Sequence, residues 1–164
     1  MKILYYGGQK SGKSHLAEQH AITLAQGRTP YYIATYDNHY GDEEMAQRIT
    51  QHQHQRKQQF HTLEEPHTLS PLLKPNACYL IDCISMLILN RLDEPIESLL
   101  QEITHLTQSQ SDIVFVLNDV SGGIIPMEAS TRRFVDYSGI IGQHLAQQCD
   151  SVYHVTLGIS SQLK

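Results

Sequence analysis

No stretch of this sequence approaches the roughly 18 consecutive apolar residues of a membrane-spanning helix, so a transmembrane span is excluded. Positive charge is also scarce: 12 Lys and Arg face 17 Asp and Glu, for a formal net charge of −5. A protein that captures nucleic acid by broad electrostatic attraction is basic, so general DNA or RNA binding is disfavoured. The three cysteines, Cys78, Cys83 and Cys149, are odd in number and show no C-x-x-C spacing. That argues against a disulfide scaffold and for buried, reduced thiols. The opening residues Met1 to Gly8 run into glycine too soon to serve as a signal peptide, and a cytoplasmic protein is expected.

What remains is 164 residues with 40% apolar content, the size of one ordinary domain and enough to bury a core. No internal repeat or long linker divides it, so residues 1–164 are expected to form a single nucleotide-binding catalytic domain. Lys2 to Tyr6 reads as a buried strand closed by a glycine-rich turn, and Ser14 to Gln26 as a helix closed by Gly27. Pro30 to Thr35 is a second strand. Asp42 to about Gln58 reads as a long polar helix, and Phe60 to Glu64 as a short extended piece. A brief helical turn falls between Pro66 and Pro71, and further strands fall at Cys78 to Asp82 and Ile113 to Leu117. Ser151 to Thr156 reads as the last strand. Helices are predicted at Ile84 to Leu92, Pro95 to Gln108 and Thr131 to Gln148. Nearly continuous apolar strands alternating with helices predict an α/β fold with a mainly parallel sheet covered on both faces, and the motif that follows the first strand makes the P-loop NTPase type the expected one.

Between the first strand and first helix lies Gly7-Gly8-Gln9-Lys10-Ser11-Gly12-Lys13-Ser14, a full match to G-x-x-x-x-G-K-[ST] in the context that gives the pattern meaning. Glycines let successive backbone N–H groups turn onto phosphate oxygens, and the helix N-terminus adds positive potential. Lys13 is placed to reach the β- and γ-phosphates and Ser14 to ligate Mg²⁺. The strand Tyr79-Leu80-Ile81-Asp82 ends on a carboxylate, which reads either as a second metal-side acid or as a helix cap.

Ten histidines are many for this length, and His52 and His54 fall on the polar helix. With Arg48 at zero and about 100° per residue, His52 lies near ~40°, Met45 near ~60°, Arg56 near ~80°, Ile49 near ~100° and His54 near ~240°. Arg48, His52 and Arg56 therefore form one ladder, anchored by Met45 and Ile49, while His54 points away. This separation argues against a joint zinc site, which on a helix uses an i, i+4 pair. Two cations beside His52 favour its neutral, nucleophilic ring, and the same guanidiniums suit a triphosphate. On spacing alone, a half-buried helix residue with arginine neighbours is the simpler account of His52.

Several blocks resemble, in order and over nearly the whole chain, the bifunctional adenosylcobinamide kinase/adenosylcobinamide-phosphate guanylyltransferase family of cobalamin biosynthesis. They are GGQKSGKS at Gly7, YYIAT at Tyr31, EEMAQRITQH at Glu43, FHTLEEP at Phe60, LIDCISMLILNRL at Leu80, LNDVSGGIIP at Leu117 and RRFVDYSG at Arg132. The resemblance implies phosphorylation of adenosylcobinamide by ATP or GTP, then transfer of GMP from GTP through a guanylylated histidine. By position that histidine is His52. The implied nucleotide contacts are Gly7 through Ser14, Ala34, Thr35, Tyr36, Gln53, His54, Gln55, Arg56, Glu64 and Asp82, with Ser14 and Asp82 on Mg²⁺. Adenosylcobinamide and its phosphate are the implied acceptors, and a homotrimer the implied assembly. The chain departs from the family pattern at Asp119 and Ser121, where Glu and Gly are usual, at Gly142 in place of Asn, and at Phe60 in place of Trp. It also has Arg56-Lys57 where an Arg-Pro pair is frequent. Two other readings of the same residues are a monofunctional small-molecule kinase and a nucleotide-binding regulatory protein.

Overall fold

The protein was analysed as a computed structural model that describes residues 1–37, 59–123 and 125–164. Its elements are β1 (Lys2–Gly7), α1 (Lys13–Leu24), β2 (Tyr31–Ala34), β3 (His61–Glu64), a 3-10 turn (Ser70–Leu72), β4 (Cys78–Asp82), α2 (Ile84–Asn90), α3 (Ile96–Gln108), β5 (Asp112–Asn118), α4 (Ala129–Gln148), β6 (Ser151–Thr156) and β7 (Ile159–Gln162). All seven strands join one sheet in the order β3-β2-β4-β5-β1-β6-β7, parallel except for the β6–β7 pair. The expected α/β class and mainly parallel sheet are thus observed.

The central strands are apolar on both sides because both of their faces are covered. On one face Ile3 and Tyr5 of β1 and Val114 and Val116 of β5 meet α1 through Ala17, Ala21 and Ala25. Those alanines recur every four residues and let the helix lie close to the strands. On the other face Leu4, Phe115 and Leu117 pack against Ile84, Leu87 and Ile88 of α2, Leu99, Ile103 and Leu106 of α3, and Ile141 and Leu145 of α4. Each such side chain, fully buried, contributes about 1.5–3 kcal/mol. Tyr79 is buried without orphaning its hydroxyl, which donates to Leu72 O at 3.0 Å and accepts from Lys74 N at 2.8 Å.

One expectation is corrected at the C-terminus. Ser151 to Thr156 is not the last strand: residues 159–162 turn back as β7 and pair antiparallel with β6. The Ile-Ser-Ser-Gln stretch has no apolar alternation to announce a strand. Its pairing comes from the two-residue turn Leu157-Gly158, where both residues have positive φ (54° and 79°), as hairpin turns matched to strand twist require. Elsewhere predicted boundaries shift by a residue or two at element ends, and the polar helix from Asp42 lies outside the described residues.

Glu102 of α3 is a buried charge with a structural task. Its Oε1 accepts the Leu69 and Ser70 N–H groups at 2.7 and 2.8 Å, and its Oε2 the Ser70 hydroxyl at 3.1 Å. Glu102→Ala orphans these buried donors at about 1–3 kcal/mol per group. We expect a loss of about 3 kcal/mol in urea unfolding with an unchanged m-value. A wild-type midpoint would show that the loop before the 3-10 turn does not depend on this carboxylate.

Candidate active site

The phosphate loop begins where β1 ends, and neighbouring backbone dictates its shape. A Cβ on Gly7 would stand 2.4 Å from Val155 O of β6, so no larger residue fits there. Gly12 has φ +96°, and a Cβ there would meet Gly158 Cα at 3.1 Å. The loop is tied down on both sides: Gly158 N donates to Ser11 O at 2.7 Å, and Asp119 N to Gly7 O at 2.8 Å. Gly8 is different, because a Cβ there meets nothing within 4 Å.

Lys13 opens α1 and is buried, 6% exposed. Its ammonium folds back over the loop and donates to Gly8 O at 3.0 Å. Burial lowers its pKa, and the Asp82 carboxylate opposes part of that effect, which places the two charges within electrostatic reach. Ser14 follows in the first turn of α1, half-buried, while Gln9 and Lys10 are exposed.

Asp82 ends β4 level with Val116 of β5 and Ala34 of β2, and its Oδ2 accepts the Tyr32 hydroxyl at 2.9 Å. The carboxyl ends of β1, β4 and β2 therefore bring together the phosphate loop, Asp82 and Ala34-Thr35-Tyr36, at the edge where parallel α/β sheets bind ligands. Thr35 is already engaged. Its hydroxyl donates to Cys83 O at 2.7 Å and accepts from Cys83 N at 3.0 Å, and its carbonyl takes Asn90 Nδ2 at 2.7 Å. Glu64 ends the outermost strand, four strands from β1, or about 19 Å across the sheet. Arg48, His52, Gln53, His54, Gln55 and Arg56 lie outside the described residues.

Beside the loop, at the ends of β1 and β5, stands a group of residues that the sequence marked only as departures or did not mark at all. Asp119 Oδ1 accepts from both Ser121 N (2.9 Å) and Ser121 Oγ (2.6 Å), and the Tyr6 hydroxyl bonds the same carboxylate. Burial pushes Asp119 upward, but these hydrogen bonds outweigh it and hold the carboxyl below its ordinary value. The three cysteines are free and buried, as expected. Burial raises Cys78 to about 11 and Cys83 and Cys149 to about 12, so none is a nucleophile at neutral pH.

A kinase-type phosphate loop, an acidic strand end and a second carboxylate beside the loop narrow the chemistry to phosphoryl or nucleotidyl transfer. Comparison with known proteins decides further. The sequence profile described as cobinamide kinase / cobinamide phosphate guanyltransferase matches residues 3–163. The chain belongs to this family. It is accordingly an enzyme that combines kinase and nucleotidyltransferase activities in cobalamin biosynthesis. It is 35% identical to the bifunctional adenosylcobalamin biosynthesis protein CobP of Pseudomonas aeruginosa, over 100% of this chain and 98% of that protein. To the bifunctional adenosylcobalamin biosynthesis protein CobU of Salmonella typhimurium it is 31% identical, over 100% of both. Among solved structures, the flagellar accessory protein FlaH from Methanocaldococcus jannaschii matches with a TM-score of 0.51 and 14% identity, covering 99% of this chain and 77% of that one. At that identity the likeness concerns the fold alone. Among the described residues no helix is long and apolar enough to cross a membrane.

The glycine geometry gives a direct test of this family's loop in the present chain. Gly7→Ala forces β1 and β6 apart at an overpacking cost of about 1–3 kcal/mol. We expect a melting temperature lower by several degrees and nucleotide affinity lost by more than tenfold, whereas Gly8→Ala melts like wild type. Equal melting of the two variants in a thermal scan would contradict the described contact with Val155.

Proposed function

We propose that this enzyme phosphorylates the hydroxyl of adenosylcobinamide with ATP or GTP and then transfers GMP from GTP, through a guanylylated His52, to give adenosyl-GDP-cobinamide. The observation that supports this most strongly is the pairing of a braced phosphate loop with the Lys13–Asp82 couple, in a chain aligned end to end with bifunctional relatives.

In the kinase step the acceptor oxygen attacks the γ-phosphorus, the bond to the β,γ-bridging oxygen breaks, and NDP leaves. Lys13 and the loop N–H groups hold the non-bridging oxygens, where charge is spread as the transferring group loosens. In the second reaction a neutral His52 ring nitrogen attacks the α-phosphorus of GTP and pyrophosphate leaves. The phosphate of the acceptor then takes the GMP group, breaking the P–N bond and restoring the imidazole. Arg48 and Arg56, four residues before and after His52 in the sequence, balance the charge that leaves with pyrophosphate.

Mg²⁺ fits this site. It is a hard cation that takes oxygen ligands and keeps several waters, and Ser14, next to Lys13, and Asp82 at the end of β4 offer a hydroxyl and a carboxylate. When bound, the ion would neutralise charge on the phosphates. The family resemblance further supports a homotrimer in the cytoplasm, with site residues shared between subunits.

The histidine assignment is tested with GTP labelled at the α-phosphate. Wild type should take up a covalent label that is acid-labile and base-stable. His52→Ala should lose the label and His54→Ala should keep it. A labelled His52→Ala protein, or an unlabelled wild type, overturns the assignment. A monofunctional kinase would instead show γ-phosphoryl transfer to the acceptor that is indifferent to His52→Ala.

Lys13 serves whichever phosphorus reacts. Lys13→Ala should therefore reduce both phosphorylation and guanylylation by more than about a hundredfold, the scale of losing one preorganised transition-state contact. Survival of either activity at its normal rate would mean that the two reactions do not share the loop.

A further inference from the structure

We infer that the groove between α4 and the β5–β1–β6 part of the sheet binds one edge of the corrinoid acceptor, an inference that rests on the cobinamide reading above. A cavity of about 240 Å³ opens there, on the sheet face opposite α1. Its floor is apolar, from Leu4, Leu117 and Val152, and its helix wall is unusually low, formed by Gly139, Gly142 and Ala146.

A low apolar wall alone would be only a packing feature. Ser138 makes it a binding feature. This serine also lines the cavity, is 5% exposed, and has a buried hydroxyl without a hydrogen-bond partner among the described residues. A buried polar atom without a partner is costly and rare in a folded protein. A ligand that offers an acceptor oxygen beside apolar surface relieves it.

The cavity also leads toward the chemistry. Tyr6 bounds it, and the Tyr6 hydroxyl meets Asp119 and Ser121. Beyond that contact Ser121, Val135 and Asp136 line a second hollow of about 220 Å³. Asp119 in turn donates its N–H to Gly7 O, so the polar end of the groove adjoins the phosphate loop. A molecule lying along α4 can thus keep an apolar edge over Leu4 and Leu117 while its hydroxyl arm passes Asp119 toward the γ-phosphate.

A corrinoid has this chemistry: ring methyl groups, primary amides on short arms, and one hydroxyl-ended arm. At about 240 Å³ the cavity is the size of a small side group and its neighbours. That suits an amide arm with its neighbouring methyls and is too small for the macrocycle. An alkylated cobalt(III) corrin also carries net positive charge, since a trivalent metal meets only two formal negative charges. The Asp119 and Asp136 carboxylates at the polar end complement it.

The experiment is calorimetric binding of adenosylcobinamide to the full chain, with GTP binding, α-label uptake and melting temperature as controls. No atom lies within 4 Å of a Cβ placed on Gly139, so a larger side chain starts there without a clash, and Gly139→Leu adds bulk to the wall of the groove. We expect it to weaken adenosylcobinamide binding by at least tenfold. Ser138→Ala, which removes only the hydroxyl, should weaken it about fivefold. Both should leave GTP affinity, α-label uptake and melting temperature at wild-type values or higher. Unchanged corrinoid affinity in both variants overturns the groove assignment. A wild type that binds adenosylcobinamide but transfers no phosphate overturns the cobinamide-kinase reading, while the variants still decide the groove. A wild type that binds no adenosylcobinamide overturns both.

Discussion

The site depends on how closely two pieces of backbone approach the phosphate loop. Val155 O presses on Gly7 and the Leu157-Gly158 turn presses on Gly12, while Ser11 O and Gly7 O are each held by an N–H from a neighbouring segment. A loop of successive inward N–H groups has no hydrogen-bonded ladder of its own, so something outside must fix its dihedrals. Here the β6–β7 hairpin and the residue after β5 do so. Binding then requires little rearrangement of the loop, which keeps the entropic cost of ordering it out of the binding step. The C-terminal hairpin is thus part of the nucleotide site although none of its residues belongs to the motif.

Electrostatics at the same edge follow from burial. Desolvation disfavours the charged form of Lys13, and the protein meets that cost in part with Asp82 and with the Gly8 carbonyl. A triphosphate supplies far more negative charge than one carboxylate, so its arrival turns a poorly solvated cation into a well-paired one. Asp82 cannot simply swing away to make room, since the Tyr32 hydroxyl holds it. Thr35 and Cys83 lock the ends of β2 and β4 at the adjacent position. This edge is stiff where phosphate must be held.

Much of this was legible in the sequence because the relevant signals are local. Apolar runs such as Tyr79 to Asp82 announce buried strands, and a glycine-lysine-serine loop between strand and helix announces a phosphate site. Three things were not legible, each for a physical reason. The β7 strand is polar and gains its structure from a turn and a partner strand rather than from its own pattern, although Gly158 after an exposed leucine was a usable turn signal. The need for Gly7 lies in a contact with Val155, about 150 positions away in sequence, which no local pattern encodes. The Tyr6–Asp119–Ser121 group joins two strand ends that neighbour each other only because β1 pairs with β5. Asp119 looked like a shortened glutamate when read along the chain, and only the sheet shows that it abuts the loop.

The topology bears on how one loop can serve two reactions. In the sequence His52 falls between β2 and β3, and the phosphate loop follows β1. Asp119 and Tyr6 sit at the ends of β5 and β1, and the α4 groove runs over β5, β1 and β6 on the sheet face opposite α1. On the proposed assignment, one loop serves a histidine that attacks the α-phosphorus and an acceptor hydroxyl that attacks the γ-phosphorus. A displacement at phosphorus needs its nucleophile and leaving group roughly in line. Along a triphosphate the α-phosphorus expels the β,γ end, while the γ-phosphorus expels the α,β end, so the two attacks run in opposite senses along the chain. A single seated triphosphate can therefore serve both reactions on one braced loop when its two nucleophiles come from opposite ends of the phosphate chain.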